Sequence, residues 1–251
     1  MPAPSPEQSP APRGPVTPDQ ISVVLPTYDE AGNIVPLMEG ILKALGAEVE
    51  IIVVDDDSPD GTAGLVRQFA EGHPQARLVH RTTERGLTSA IARGIAESKR
   101  PVVAWMDCDL SMPPADLPRL MKALEGRDMV LGSRYVPGGR DVAHGPLART
   151  LSIIICRLSR ALLGGTVLDM TSGFMMGRRY LLEDLGLIGD YGEYCIDLIQ
   201  RAQKQGYLLA EVPYLCQPRH SGQSKTSVGL GGFLRRGPGY LATVWRLWRR
   251  S

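Results

Sequence analysis

The sequence predicts an α/β protein built on a mostly parallel, Rossmann-like sheet with helices on both faces. Short apolar runs that suit strands alternate with longer segments in which apolar residues recur with a helical period. The strand-like runs are apolar at nearly every position, which is typical of parallel strands covered by helices on both sides. With 251 residues, of which 43% are hydrophobic, the chain is long enough for one substantial core.

The first half of the chain predicts a regular alternation of strands and helices. The run at 21–28 is almost continuously apolar, whereas the segment at 34–45 places its apolar residues on one helical face. The stretch at 56–62 combines Asp, Ser, Pro and Gly and indicates a turn before the next helix. In chain order, the strands are predicted at 21–28, 50–55, 77–81, 102–106 and 129–132, and the helices at 34–45, 62–71, 87–98 and 114–125.

The second half is less regular. In chain order it predicts an exposed loop at 137–139, a helix at 147–163, a turn at 169–174, a helix at 193–205, a strand at 207–215 and a basic, Gly- and Ser-rich loop at 219–227. Residues 1–20 contain seven prolines among small and polar residues, a composition that predicts disorder. We therefore expect one folded domain at 21–227, followed by an amphipathic, basic segment at 228–251.

Composition narrows the setting in which the protein works. A net charge of +1 gives no overall attraction to nucleic acid, so we expect no nucleic-acid partner. The four cysteines are spaced too irregularly for a metal knuckle or a disulfide framework, which indicates reduced thiols in a cytoplasmic protein. We see no N-terminal leader and no run near the ~18 to 20 apolar residues that a spanning helix needs.

Carboxylates follow three of the predicted strands. Asp29 and Glu30 follow the first strand, residues 55–57 follow the second, and Asp107 and Asp109 follow the fourth. Because the carboxyl ends of parallel strands meet at one edge of an open sheet, we expect these acids to share one crevice. Taken singly, each group suits a turn or a helix cap. Together they predict that Asp107 and Asp109 hold a hydrated Mg²⁺ or Mn²⁺ that bridges to a diphosphate.

A second group of candidate residues is cationic. Arg134 follows the fifth predicted strand, and Arg219 and Lys225 flank a glycine in a flexible loop. Guanidinium and ammonium groups on loops suit phosphate oxygens. The chain has neither a G-x-G-x-x-G motif after its first strand nor a P-loop motif, which argues against a dehydrogenase or a P-loop nucleotidase. A metal, a diphosphate and loop cations are what a nucleotide-sugar transferase needs.

Six motifs carry a family resemblance. They are VLPTYDE at 24–30, VVDDDSPDGT at 53–62, DCDLS at 107–111, GSRYVPGG at 132–139, TSGF at 171–174 and GQSK at 222–225. In this order they resemble the motif series of family 2 glycosyltransferases, which have the GT-A fold, and are most similar to the dolichol-phosphate and polyprenol-phosphate mannosyltransferases. The resemblance covers about residues 21–227. It implies inverting transfer of mannose from GDP-mannose to a polyprenyl, dolichyl-type monophosphate with Mg²⁺ or Mn²⁺.

The resemblance also implies roles for individual residues. The positions that match nucleoside contacts are Pro26, Tyr28, Glu30, Val54 and Asp56. Asp107 and Asp109 match metal and diphosphate ligands, with Cys108 and Ser111 beside them. Arg134 matches a residue at the diphosphate and acceptor phosphate. Arg219 and Lys225 match a loop that closes over the donor, and the catalytic residues we predict are Asp109 and Arg134.

The acceptor side departs from the family pattern. The family pattern has an arginine four residues before Ser152, but this position is Ala148 here, and Arg149 is adjacent to it. We predict that Arg149 and Ser152 contact substrate. His144-Gly145-Pro146 stands where a Trp-rich segment is common in the family. These departures leave the acceptor, and to a lesser degree the sugar, open.

Other activities stay open at this point. The same fold could use UDP-glucose or another nucleotide sugar, or transfer to a glycan hydroxyl, for which Glu193 and Asp197 are the candidate bases. A protein of a different class would bind a nucleotide sugar without turnover, and the intact D-x-D motif and cationic loop argue against it.

The C-terminal segment suits two environments. Trp245 and Trp248 lie among arginines, a pattern typical of ordinary helix packing and equally of a bilayer interface. The stretch RRGPG at 235–239 predicts an interruption, so the segment is not expected to span a membrane. A polyprenyl acceptor implies a peripheral protein at the cytoplasmic face of a membrane, and a small membrane-protein partner is compatible with this location.

Overall fold

The structure, a computed structural model, describes residues 13–222 and 230–249, with side chains from residue 237 onward in the last segment. One seven-stranded sheet organises the described residues. Its strands are β1 (Ile21–Thr27), β2 (Glu50–Asp55), β3 (Ala76–His80), β4 (Val102–Trp105), β5 (Met129–Ser133), β7 (Met175–Arg178) and β8 (Leu209–Pro213). A separate parallel pair joins β6 (Arg140–Asp141) to β9 (Leu215–Cys216).

The sheet is parallel apart from one strand. Its order is β3-β2-β1-β4-β7-β5-β8, and β7 runs antiparallel to both of its neighbours. The helices are α1 (Ile34–Leu45), α2 (Thr62–Gly72), α3 (Leu87–Glu97), α4 (Leu117–Ala123), α5 (Pro146–Leu163), α6 (Arg179–Leu185), α7 (Tyr194–Lys204) and α8 (Leu230–Trp248). This arrangement confirms the predicted fold class.

Alternation along the strands divides the core between the two faces of the sheet. In β1, Val23 and Leu25 pack with α1, α2 and α4, while Val24 packs with α3 on the opposite face. All seven β1 residues are buried, which explains the continuous apolar run. Gly94 allows α3 to approach β1 closely, because a Cβ at this position would overlap Val24. The four cysteines are free and buried, as expected.

Several elements differ from the predictions, including the helix α6 and the strand β6, which were not predicted. The helix expected at 114–125 is a 3₁₀ turn at Pro114–Asp116 followed by the shorter α4. The strand expected at 207–215 ends at Pro213, and the chain then joins a different ladder as β9. The strand β7 was not predicted, because four residues that include a glycine and an arginine carry too little periodicity.

Residues 13–20 are ordered, so the prediction of disorder over 1–20 is wrong for this part. Arg13 Nε donates to Asp128 Oδ1 at 2.7 Å, and Arg178 Nη2 donates to the Gly14 carbonyl at 2.9 Å. Val16 is buried in the core beside these contacts. Because Asp128 is completely buried, Arg13 neutralises a charge that would otherwise be costly. Residues 1–12 lie outside the described residues.

The helix α8 packs on the domain. It runs through Pro238 without the interruption expected at 235–239. Val244 and Leu247 are buried in the same core cluster as α5 and α7. Arg246 Nη2 donates to Asp197 Oδ1 at 2.9 Å. Among the helices of the described ranges, none has the length and apolar content that crossing a bilayer requires.

Candidate active site

A cavity of about 770 Å³ lies at the carboxyl ends of the central strands. This is the edge at which open parallel sheets bind ligands. The predicted residues that line it are Pro26, Tyr28, Glu30, Asp56, Asp107, Cys108, Asp109, Ser111, Arg134, Ser152 and Arg219. Residues far apart in the chain are thus brought to one place by the strand order.

The D-x-D turn directly follows β4. Asp109 Oδ1 accepts a hydrogen bond from the Ser111 N–H at 3.0 Å. Burial, together with the negative charges of Asp109 and Glu30, raises the pKa of Asp107 to about 7. Such crowding of carboxylates is relieved by a cation, and hard oxygen ligands suit Mg²⁺ or Mn²⁺. The residues present therefore fit a divalent metal ion.

The segment after β9 lies against this turn. Gln217 N donates to the Ser111 carbonyl at 2.9 Å, and His220 N donates to the Asp109 carbonyl at 3.0 Å. Arg219 Nη1 donates to Glu30 Oε2 at 2.8 Å, and its Nη2 lies 3.5 Å from Asp109 Oδ2. The guanidinium therefore bridges the β1 and β4 ends of the cavity. Lys225 lies outside the described residues.

The end of β2 supplies the third acidic group. Asp56 Oδ1 accepts from Arg81 Nε at 2.7 Å, and Asp56 Oδ2 accepts from the Gly86 N–H at 2.8 Å. The carboxylate is thus fixed in position at the cavity wall. The Arg85 guanidinium lies 5.2 Å from the centroid of the Tyr28 ring and lines the same part of the cavity.

Val54 does not reach the cavity. Its side chain is completely buried and packs in the core cluster that includes Ala90 and Ile91 of α3. Val54 is therefore absent from the cavity lining, and its contact with a nucleoside stays a prediction.

Arg134 is fixed by a residue that was not predicted. Its Nε and Nη2 atoms each donate to the Asp169 carboxylate at 2.8 Å, and Nη2 also donates to Thr171 Oγ1 at 2.8 Å. Although burial opposes the charged form, the paired Asp169 raises the pKa of Arg134 well above its ordinary value. The only sequence signal for Asp169 was its place at the start of the turn at 169–174.

The expected acceptor residues separate in the structure. Ser152 Oγ accepts from the Tyr135 hydroxyl at 2.8 Å and lines the main cavity. Arg149 instead lines a smaller adjacent cavity of about 340 Å³, and its Nη1 donates to the Asp141 carbonyl at 3.1 Å. His144, which was not predicted, lines the main cavity with Nδ1 at 3.0 Å from Asp141 Oδ2. The D-x-x-H spacing was the available signal.

Neither candidate base faces the cavity. Asp197 is completely buried and pairs with Arg201 and Arg246. Glu193 Oε1 accepts from the N–H groups of Asp190 and Tyr191 and does not line the cavity. The structure therefore places neither of these acids in the cavity lining.

The cavity continues as an apolar cleft between two helices. Leu151, Ile155 and Leu158 of α5 form one wall, and Tyr240 and Leu241 of α8 form the other. The same helices carry large exposed apolar side chains, of which the first three also line the cavity, namely Leu147, Ile154, Leu241, Leu162, Trp245 and Trp248.

Comparison with known proteins gives consistent matches over most of the chain. The model of glycosyl transferase family 2 matches residues 22–186. Polyprenol monophosphomannose synthase of Mycolicibacterium smegmatis is 40% identical over 215 residues, covering 82% of this chain and 80% of the relative. Undecaprenyl-phosphate mannosyltransferase of Micrococcus luteus is 35% identical over 219 residues, covering 85% and 90%. Dolichol-phosphate mannosyltransferase of Saccharomyces cerevisiae is 32% identical over 219 residues, covering 83% and 81%.

A solved structure shares the fold. The crystal structure of glucosyl-3-phosphoglycerate synthase from Mycobacterium tuberculosis, in complex with Mn²⁺, uridine diphosphate and phosphoglyceric acid, superposes with a TM-score of 0.70. It is 24% identical, and the match covers 91% of this chain and 78% of that chain.

Proposed function

Since the chain belongs to glycosyl transferase family 2 and is a glycosyltransferase of the GT-A fold, we propose that it transfers mannose from GDP-mannose to a polyprenyl monophosphate, with inversion at the sugar carbon. One observation carries the choice of acceptor. A single cavity joins the D-x-D turn, the Arg134 region and the apolar cleft between α5 and α8. A diphosphate, a monophosphate and an isoprenyl chain can therefore be held in line. The names of the relatives support the same acceptor class.

The donor end of the cavity has the groups that a nucleotide sugar requires. Asp107 and Asp109 would hold Mg²⁺ or Mn²⁺ with the diphosphate, and the ion offsets charge that develops on the leaving group. Arg219 lies close enough to exchange its carboxylate contacts for phosphate oxygens. The remaining donor contacts that we propose are Pro26, Tyr28, Glu30, Asp56, Cys108, Ser111 and Lys225.

The reaction needs no protein base in this proposal. A polyprenyl monophosphate is anionic near neutral pH and is itself the nucleophile. The enzyme then contributes orientation and charge stabilisation, and Arg134 and Ser152 lie between the donor end and the cleft. The burial of Asp197 and the backbone contacts of Glu193 support this mechanism over transfer to a hydroxyl group.

A polyprenyl acceptor lies in a bilayer, so the protein must meet a membrane surface. Among the exposed apolar residues of α5 and α8, Leu147, Ile154 and Leu241 also line the cavity, and this exposed set supports peripheral association at the cytoplasmic face. We propose that residues 21–227 form the transferase domain and that 228–251 adds the second wall of the cleft.

Radiolabelled transfer tests this proposal. Purified protein is incubated with GDP-[¹⁴C]mannose or UDP-[¹⁴C]glucose and undecaprenyl monophosphate, and the lipid product is extracted into organic solvent. We expect labelled lipid from GDP-mannose with Mn²⁺ or Mg²⁺, and its loss with excess EDTA or in Asp109→Ala. The control Glu39→Ala, an exposed acid on α1, should keep full activity. Full transfer in excess EDTA would exclude the metal-dependent mechanism. If labelled lipid formed from UDP-glucose and not from GDP-mannose, GDP-mannose would be excluded as the donor.

A further inference from the structure

One ring nitrogen of His144 is held by a carboxylate, and the residue lines the main cavity. Its Nδ1 atom lies 3.0 Å from each carboxylate oxygen of Asp141. Because a carboxylate only accepts hydrogen bonds, Nδ1 carries a proton. Asp141 Oδ1 also accepts from the N–H groups of Ala143 at 3.2 Å and His144 at 3.1 Å, so carboxylate and ring hold one another in place. The remaining polar atom of the ring is Nε2, and His144 lines the main cavity.

Arg134 alone is a poor site for a phosphate dianion. Four of its five N–H groups already donate, to Asp169, Thr171 and, at the longer distance of 3.4 Å, Asp141. Its single positive charge faces two carboxylates, both almost completely buried. The charge of Arg134 is therefore already compensated when a phosphate dianion arrives. Binding the dianion calls for a second cation on the cavity side of Arg134.

His144 is the side chain placed to supply that cation. It shares the Asp141 carboxylate with Arg134, so both lie beside the same part of the cavity. Arg149 faces the adjacent smaller cavity instead. We propose that His144, as an imidazolium, binds the acceptor phosphate through Nε2–H together with the free N–H of Arg134, and that Asp141 is its positioning residue. This inference rests on the proposed function, because it concerns the acceptor of that reaction.

The contact between His144 and Asp141 also affects the carboxylate. Although burial opposes it, the hydrogen bond and charge of His144 lower the pKa of Asp141. The other titratable groups near Asp141 are Arg134, Arg149, Tyr214 and Cys216. Burial raises the pKa of the Cys216 thiol to about 12 and that of Tyr214 well above its ordinary value, so both are neutral.

The same three side chains could be taken for a metal site. Ligand atoms of Asp141, His144 and Cys216 lie within 4.8 Å of one another. The carboxylate oxygens, however, already accept N–H donors from Ala143, His144 and Arg134, and the thiol is protonated. A metal ligand must offer a free lone pair, and a cysteine must be deprotonated to a thiolate before it binds a metal ion. The arrangement therefore favours a hydrogen-bonded histidine over a bound cation.

Kinetics with separate variation of the two substrates tests the role of His144. The variants are His144→Gln and His144→Ala, and His73→Gln is the control, since His73 lies at the end of α2 remote from the cavity. Loss of a charge-assisted hydrogen bond should raise the acceptor KM by roughly 10- to 100-fold, with the KM for GDP-mannose nearly unchanged. The pH dependence of acceptor kcat/KM should differ between wild type and His144→Gln.

Nuclear magnetic resonance gives a readout that does not depend on turnover. The sequence has four histidines, and the His144 ring signal is assigned as the one missing in His144→Gln. Geranyl monophosphate should shift this signal, and the shift should be smaller in Asp141→Asn, which loses the carboxylate that holds the ring. Inorganic phosphate should produce a weaker shift, because it lacks the chain that fills the cleft.

The outcomes separate the two proposals. If wild type makes no mannosyl lipid, the proposed function fails. If wild type transfers mannose while His144→Gln keeps the acceptor KM and pH profile of wild type, the role of His144 is overturned. Stoichiometric Zn²⁺ binding that disappears in His144→Gln would also overturn it in favour of a cation site.

Discussion

At the scale of single residues, Arg134 has two roles that one substitution would mix. It is proposed to contact the acceptor, and it also neutralises Asp169, which is completely buried. We predict that Arg134→Ala lowers transfer by roughly 100-fold or more. It should also lower the free energy of unfolding by about 3 to 5 kcal/mol, because it leaves a buried carboxylate unpaired. Urea denaturation followed by circular dichroism measures the second effect.

A double variant separates these roles. Arg134→Ala combined with Asp169→Asn removes both charges and should recover part of the lost stability without recovering transfer. If transfer returned along with stability, Arg134 would be a structural residue only. Arg134→Lys should rescue little, because lysine lacks the planar group that contacts Asp169 through two nitrogen atoms.

The raised pKa of Asp107 leads us to predict that, without metal, the stability of the folded protein depends on pH. Its raised pKa, about 7, means that the folded protein binds this proton more tightly than the unfolded chain does. Stability should therefore fall as pH rises from about 4 to about 7. A shift of this size is worth at most ~4 kcal/mol, and solvent access to the half-buried group reduces it to about 1 to 2 kcal/mol.

Thermal unfolding in EDTA at pH 5, 6, 7 and 8 measures this effect. Asp107→Asn should be more stable than wild type at pH 8 and show a flatter dependence on pH, while losing transfer. Asp116→Asn, which changes an acid outside the cavity, is the matched control. An unchanged pH dependence in Asp107→Asn would show that another group carries the proton.

The sequence predicted the acidic half of the site better than the cationic half. Asp107 and Asp109 follow a strand directly, so strand order alone brings them to the cavity. The partner of Arg134 is Asp169, 35 residues later, and no local pattern encodes that pairing. The position of His144 depends on its contact with Asp141, and Asp141 lies in the short ladder between β6 and β9. One missed contact thus joins distant segments, and the other is local but has its place in the cavity set by pairing with a distant strand.

At the scale of elements, the regular first half was predictable and the second half was not. From β1 to β4 each strand is followed by a helix, and the spacing of apolar residues alone is enough to locate these strands and helices. Beyond β5, the antiparallel β7 enters the sheet between β4 and β5, and its position depends on pairing with both neighbours. A short strand that forms through pairing with its neighbours has little strand pattern in its own sequence.

The helix α8 predicts a membrane contact that can be tested without truncation. Deleting it would expose Val244 and Leu247 and leave Asp197 without Arg246, so a truncated protein would lose stability as well as surface. Trp245→Ser with Trp248→Ser changes only side chains that are about half exposed. We predict weaker sedimentation with vesicles of anionic lipid, and lower transfer to long-chain acceptor than to geranyl monophosphate.

Leu208→Ser is the matched control, because Leu208 is exposed before β8, at the end of the sheet away from the cavity. It should sediment like wild type. Equal sedimentation of the tryptophan variant and wild type would place the membrane contact elsewhere on the protein.

At the scale of the whole molecule, the site is assembled from segments that span nearly the full described chain. Glu30 after β1, Asp109 after β4 and Arg219 after β9 meet through one guanidinium. Arg219 therefore offsets the charge of the acids that we propose to bind metal and donor. Donor and metal together should replace this contact, whereas GDP alone would add negative charge beside these carboxylates.

This arrangement predicts strongly coupled binding of metal and nucleotide. A ligand present at about 100 times its Kd stabilises the folded state by ~2.7 kcal/mol, which in a protein of this size raises Tm by roughly 5 to 10 °C. We expect that shift with GDP and Mn²⁺ together and much less with either alone, measured by differential scanning fluorimetry. Asp109→Ala should abolish the combined shift, and UDP with Mn²⁺ should give a smaller one if guanosine is the donor base. A full shift with GDP in EDTA would mean that nucleotide binding does not require the metal ion, and the roles proposed for Asp107 and Asp109 would have to be abandoned.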